Sequence, residues 1–313
     1  MITQILVQQT LIMFILMIIG WILSKYNLLT EKGSVEIGSI LLYLVIPCVI
    51  IRSYITEFTI DKFVGFGISI ILAVVAFAVA IGISYAVYGF RKRLANFGVA
   101  FCNAGFIGIP LISATFGKEA AFYIAAFATM LNLLQWTYGI IIITGDRKAI
   151  NTKKMFINPV CIAMIIGLVL FVTRLQLPAI ILSTMEQVSY LNTPCAMLIL
   201  GFYLSKVRLK DMLTDYWAYI SCAVRLIVIP LITMAVLWVL PLEQLMPGSA
   251  CVSVSDLKLI TLIAASTPVG TTTAIFAQKF GQDYKKAVIL VCLSTILSIL
   301  TIPIVIMVAQ QML

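Results

Sequence analysis

Apolar residues recur along this chain in runs of about 18 or more, each long enough to cross ~30 Å of hydrocarbon as a helix. The runs lie at about 4–24, 34–54, 64–89, 94–116, 119–144, 158–175, 181–205, 214–240, 256–280 and 283–309. They predict an all-α polytopic membrane protein with ten spans. The first run is too long for a secretory leader, lacks a basic start and meets no small-residue cleavage site, so it is expected to stay. One run departs from the pattern: "CNAGFIGIP", Cys102 to Pro110, sets an Asn, two Gly and a Pro inside span 4.

Composition agrees with the pattern. Hydrophobic residues make up 62% of 313 and charged residues 11%, with a mean hydropathy of +1.13. A water-soluble domain cannot hide that much apolar surface. The net charge of +9 is read as topology, not as nucleic-acid affinity. Of the 21 Lys and Arg, fifteen follow odd-numbered spans, in the groups Lys25/Lys32, Arg91–Arg93, Arg147/Lys148/Lys153/Lys154, Lys206/Arg208/Lys210 and Lys279/Lys285/Lys286. Five lie on the other side (Arg52, Lys62, Lys118, Arg174 and Lys258), and Arg225 falls within span 8. That asymmetry puts the odd loops in the cytoplasm and both termini outside a cell membrane. There is no His, and the seven Cys show no paired spacing, so neither a metal nor another cofactor is expected.

The chain also repeats itself. Tyr43–Cys48, "YLVIPC", resembles Tyr190–Cys195, "YLNTPC". Phe116-Gly117 falls on Phe280-Gly281 at an offset of 164, which aligns Glu119 with Asp283 and Asn103-Ala104-Gly105 with Thr267-Pro268-Val269. Two five-span halves result, 1–150 and 151–313, with Asn158-Pro159 restarting the chain as a helix cap. An odd number of spans per half makes the second half enter from the opposite side, as in many secondary transporters.

Both halves therefore weaken a corresponding helix. Pro268 deletes an N–H donor, while Gly105, Gly108 and Gly270 let backbones approach. Either these are ordinary kinks, or spans 4 and 9 unwind and cross near the midplane, where freed backbone must meet protein or water. In the second case the restarted helices aim their N-terminal ends at one pocket, each with roughly half a positive charge and free N–H donors that suit a carboxylate. Asn103, Thr267 and the Thr271-Thr272-Thr273 run supply further donors, with Gly105, Gly108, Pro110 and Pro268 as crossover and hinge positions.

Other intramembrane polar residues keep two readings each. Asn132 and Gln135, one turn apart, either line the pocket or bond between helices. Arg225 either meets a substrate carboxylate or braces carbonyls freed at a break. Asn192 and Thr193 beside Pro194 either satisfy carbonyls or border the path. Glu186 is expected to be solvated, and Glu119 and Asp283 to cap helices. No Asp or Glu is placed for a proton relay.

At these residues the chain resembles the auxin efflux carrier family, which includes plant PIN-type carriers and bacterial organic-acid permeases. The features are "NAGFIGIP" in span 4, "ASTPVGTTTAIFAQKFGQD" in span 9, "NP" opening span 6, "YLNTPCAMLILGFYLSK" in span 7 and "VRLIVIPL" in span 8. The resemblance implies a 5+5 inverted repeat with broken, crossed helices 4 and 9. It also implies a transport unit of spans 3–5 and 8–10, a supporting and dimerising unit of spans 1, 2, 6 and 7, and Asn103 as a substrate contact. The plant-type proline before that Asn is Cys102 here, so the break relies on Gly105 and Gly108; the long plant cytoplasmic loop is absent.

The expected function is secondary transport of a small organic anion, with the bilayer and that anion as partners. A sodium-coupled symporter resembling bile-acid carriers and a membrane receptor are the alternatives. An intramembrane enzyme is disfavoured, because serine or zinc chemistry lacks a His and no paired central aspartates exist.

Overall fold

The structure, a computed structural model, describes residues 2–117, 119–146, 148, 158–242 and 252–312. Lys118, Arg147, Lys153 and Lys154 of the charge count lie outside the described residues, as does most of the segment joining the two halves.

Helix starts are written locally. After α1 (Ile2–Lys25), Thr30 opens α2 (Glu31–Tyr54) by accepting the Gly33 N–H at 3.2 Å. Thr59 does the same for α3 (Ile60–Tyr88), accepting from the Lys62 N–H at 3.2 Å. Asn158 accepts the Val160 N–H at 2.9 Å and, with Pro159 in the first turn, starts α7 (Pro159–Thr173). Ser253 and Asp256 form a reciprocal capping box on α10 (Val254–Ser266). In each case a side-chain oxygen satisfies a backbone donor that the helix itself leaves free.

The other elements are α4 (Arg93–Ala100), α5 (Ala104–Phe116), α6 (Ala120–Thr144), α8 (Ala179–Lys206), α9 (Tyr216–Val239), α11 (Thr272–Lys279) and α12 (Tyr284–Met312). Seven helices, α1, α2, α3, α6, α8, α9 and α12, are long and apolar enough to cross a bilayer. This is a polytopic α-helical membrane fold. Among the described residues the β-structure is one isolated bridge, Cys102 to Val269.

Of the ten runs, one is shorter than expected and the two expected to be interrupted are. The run at 158–175 is the 15-residue α7, about 22 Å long, which ends where Arg174 turns left-handed at φ 56°. The runs at 94–116 and 256–280 are each two helices, α4/α5 and α10/α11, because Phe101–Asn103 and Thr267–Thr271 leave helical geometry.

Prolines shape the rest. Ile46-Pro47, Ile109-Pro110 and Ile229-Pro230 each follow a five-residue π turn, at Leu41–Val45, Ala104–Gly108 and Val224–Val228. A proline clashes with the carbonyl four residues back. Widening the preceding turn, so that each of these isoleucines bonds five residues back, relieves that clash without stopping the helix.

Packing places α1 against α8 and α2 against α7. The first contact depends on glycine: a Cβ on Gly201 would lie 2.6 Å from the Trp21 nitrogen, and one on Gly20 would lie 2.7 Å from Leu198 Cα. Small residues that bring backbones together are the usual device for helix association in lipid. An aromatic cluster of Tyr54, Phe66, Phe122 and Phe171 ties α2, α3, α6 and α7.

Gly201→Ala is therefore expected to force α1 and α8 apart and to cost about 1–3 kcal/mol, the range for overpacking. Thermal unfolding of the purified protein in detergent would read a lower midpoint; an unchanged midpoint would show that the contact gives way freely.

Candidate functional site

The two interrupted stretches meet. The Asn103 N–H donates to the Pro268 carbonyl at 2.9 Å, and the Gly270 N–H donates to the Phe101 carbonyl at 3.0 Å. Cys102 and Val269 thus pair as antiparallel extended backbone, and polar groups that each break would strand in hydrocarbon satisfy one another. Gly270 is required by proximity: a Cβ there would lie 2.8 Å from the Cys102 carbonyl oxygen. The Val269 N–H donates to Ser294 Oγ at 3.1 Å, which anchors the pair to α12.

The register differs from the sequence alignment. At the 164 offset the break at 101–103 corresponds to residues 265–267, whereas the second stretch leaves the helix at Thr267–Thr271 and its bridge joins residues 102 and 269. The reason is geometric. In one stretch the eight-residue α4 precedes the break and the thirteen-residue α5 follows it; in the other the thirteen-residue α10 precedes and the eight-residue α11 follows. Two segments running in opposite directions meet at one level only if one has its short arm first and the other its short arm last.

Arg225 sits directly behind the meeting point. It is 1% exposed, and its Nε donates to the Thr267 carbonyl at 3.1 Å and its Nη1 to the Val99 carbonyl at 3.2 Å. Its Nη2 donates to the Ala265 carbonyl. The guanidinium therefore holds the carbonyl ends of α4 and α10, not a carboxylate.

On the other side a small cavity of about 60 Å³ is lined by Asn103, Gly105, Asn132, Gln135, Gly270 and Thr271, among others. With Thr272, seven of the sequence-selected residues are thus brought together. Thr267 and Pro268 lie behind them and contribute backbone carbonyls to Arg225 and Asn103; the Thr267 hydroxyl is spent on Ala264 at 2.7 Å. Gly108 packs against Ile124 and Thr267, and Pro110 faces a larger chamber.

Two of the cavity's polar groups are free to donate. Asn103 Nδ2 and the Thr271 hydroxyl are buried without a partner. No side chain caps the segment that restarts at Ala104 or α11 at Thr272; at α11 the Thr273 and Ala274 N–H groups are already taken by the Gly270 and Thr271 carbonyls at 2.9 and 3.1 Å, so what that end offers a ligand is mainly its positive field. Gln135 Nε2 donates to Thr272 Oγ1 at 2.9 Å, while the Asn132 amide turns back to its own helix at Ala128, 2.9 Å away.

The larger chamber, about 480 Å³, shares Ile109 with the small cavity. Arg52 and Glu186 form an ion pair at 2.9 Å on its wall, and Lys62 reaches Glu119 at 3.4 Å. Two sequence expectations change here. Glu186 is paired, not simply solvated, because α2 and α8 bring Arg52 beside it. Glu119 makes no side-chain cap, its carboxylate turning to Lys62, whereas Asp283 caps α12 by accepting the Lys286 N–H at 3.0 Å.

Asn192 links the two spaces. It lines the chamber and donates to the Gly105 carbonyl at 3.2 Å, while its own Oδ1 is buried without a partner. Ser294 and Arg52 were missed in the sequence. A hydroxyl stripe, Ser294, Thr295 and Ser298, in an otherwise apolar run was the available signal for the first; for Arg52 there was none beyond its place at a helix end.

Comparison with known proteins adds the class. Residues 5–306 match a family described as "Membrane transport protein". An uncharacterized transporter of Methanocaldococcus jannaschii is 24% identical over 310 residues, covering 93% of this chain and 95% of that protein. Another uncharacterized transporter, of Methanothermobacter thermautotrophicus, is 23% identical over 313 residues, covering 95% and 96%.

Gly270→Ala is expected to prise the extended pair open, and Gly105→Ala to leave it intact, since nothing lies within 4 Å of a Cβ at Gly105. Cys102, 2% exposed, reports on this. With the other cysteines replaced by alanine, a membrane-permeant thiol reagent should label Gly270→Ala at least tenfold faster than the parent or Gly105→Ala. Equal labelling of all three would mean the pair does not depend on Gly270.

Proposed function

The chain belongs to the membrane transport protein family, and on that premise we propose that it is a secondary carrier that moves a small organic anion, a mono- or dicarboxylate, by alternating access. The resemblance to auxin efflux carriers read from the sequence falls within that family, and the secondary transport class rests on it and on the two full-length relatives. The anion and its site are our reading of the geometry.

The observation that carries this reading is the meeting of two interrupted stretches beside a cavity that holds the unpartnered Asn103 Nδ2 and Thr271 hydroxyl, with two helices starting at its wall. An unpartnered amide N–H and hydroxyl near positive helix ends suit a carboxylate, although the same amides and hydroxyls also carry acceptor oxygens. Taken with the aligned Phe-Gly pairs, both of whose glycines have positive φ (Gly117 87°, Gly281 66°), this supports the ten-span inverted repeat with α4/α5 and α10/α11 as its crossed spans 4 and 9. The exchange of partners, α1 with α8 and α2 with α7, fits a supporting unit of spans 1, 2, 6 and 7, on which a second copy would dock. Spans 3–5 and 8–10 would then move against it.

Both termini outside makes the 480 Å³ chamber the outer vestibule. The 60 Å³ cavity is well under the ~300–1000 Å³ of sites that enclose a small molecule, so it is a constricted stage of the cycle. Opening it requires Asn192 on α8 to release the Gly105 carbonyl.

Reconstitution in liposomes with labelled carboxylates tests the proposal. Saturable uptake of at least one compound is expected, and Asn103→Ala should lower its initial rate at least tenfold while the protein still folds in detergent. Failure of every carboxylate to move or bind would sink the anion reading, and an unchanged rate in Asn103→Ala would move the site elsewhere.

A further inference from the structure

Carbonyl groups at the ends of broken helices are where membrane carriers commonly hold a sodium ion, since each such end carries roughly half a negative charge. Here α4 ends at Ala100 and α10 at Ser266, and three carbonyls from these ends, Val99, Ala265 and Thr267, converge. Arg225 fills the space they surround, with one donor to each, and is closed off from solvent at 1% exposure. It projects from the π turn Val224–Val228 of α9, between the two helices it bridges.

We infer that Arg225 is a tethered cation occupying the carbonyl cage in which a mobile monovalent cation would otherwise bind, so that the crossover closes without sodium. A guanidinium stays protonated at any physiological pH, and its planar fork reaches several acceptors at once. One positive charge balances two helix ends of about −0.5 each. The carbonyl side of the crossing is thereby neutralised from within the protein, and the positive starts of α5 and α11 stay unbalanced for an anion. For transport the inference rests on the carrier reading above, and it chooses against the sodium-coupled alternative: the anion crosses without a sodium partner. For folding it stands independently.

Melting of the purified full-length protein tests the cage without any substrate. Replacing sodium by choline at constant ionic strength should leave the parent's midpoint unchanged; a saturable rise with sodium would overturn the inference. Arg225→Ala should melt earlier, and millimolar guanidinium should restore part of the loss in a saturable way while leaving the parent unaffected. Absence of that rescue, or equal rescue of both, would overturn it too. Should Arg225→Ala fail to fold, Arg225→Lys takes its place: its melting should be lower than the parent's and indifferent to sodium, and stabilisation by sodium counts against a filled cage. In liposomes, choline for sodium should leave the initial rate within twofold, and a sodium-dependent rate would refute the inference. A protein that moves no carboxylate at all would count against the proposed function, leaving the melting result to decide on the cage.

Discussion

A backbone N–H or C=O in hydrocarbon has no water to turn to, and this constraint governs the centre of the molecule. Two stretches, Phe101–Asn103 and Thr267–Thr271, abandon the helix inside spans that must cross lipid. Each is tolerated because the other is there. Asn103 and Gly270 donate across the gap, Ser294 accepts from Val269, and Arg225 takes the carbonyls left at the two helix ends. Break any one partner and a buried polar group is stranded, so the crossing is a mutually dependent unit. That dependence explains why its pieces come from α4, α5, α9, α10, α11 and α12 at once.

The unequal arms give the meeting point a place. Eight residues of helix are about 12 Å and thirteen about 20 Å, so the extended pair lies nearer one face than the other. The short arms, α4 and α11, share a side with Arg93 and Lys279; the long arms, α5 and α10, lead toward Glu119 and Ser253. The 480 Å³ chamber lies on the long-arm side, lined by Pro110 and Ser113 of α5 and by Glu119. A deep approach from one side and a thin barrier to the other would fit the proposed alternating access.

Much of this was legible in the sequence because membrane helices leave coarse marks. Long apolar runs gave the seven long helices, and Asn158-Pro159 gave a cap that is present. The Asn-Ala-Gly and Thr-Pro-Val-Gly interruptions marked two stretches that do leave the helix. The three-residue difference between the gapless alignment and the bridge was not legible, because identical Phe-Gly pairs fix the ends of the restarted helices and say nothing of where each one begins. Glu119 and Glu186 were misjudged for a related reason. Their partners, Lys62 and Arg52, sit on helices far away in sequence, and a charge at a helix end reads as capped or solvated until packing supplies a counter-ion. The π turns before the three Ile-Pro pairs were equally silent: proline announces a disturbance, but whether the helix kinks, stops or widens depends on what its neighbours allow.

On the proposed anion reading, why an asparagine and not a lysine should stand at position 103 follows from the charges already present. Arg225 lies just behind the crossing, and the restarted helices add roughly half a positive charge each. A second full cation beside the cavity would repel the first across a medium of low dielectric constant, and it would hold an anion too firmly to let go. An amide donates without adding charge. If the proposed anion binds here, the amide would orient it while the field of the helix ends attracts it, and release would require only that one neutral hydrogen bond and the fit around it be lost. A carrier must bind on one side and let go on the other, so a site of neutral donors in a positive field is suited to turnover where a site of ion pairs would be suited to retention.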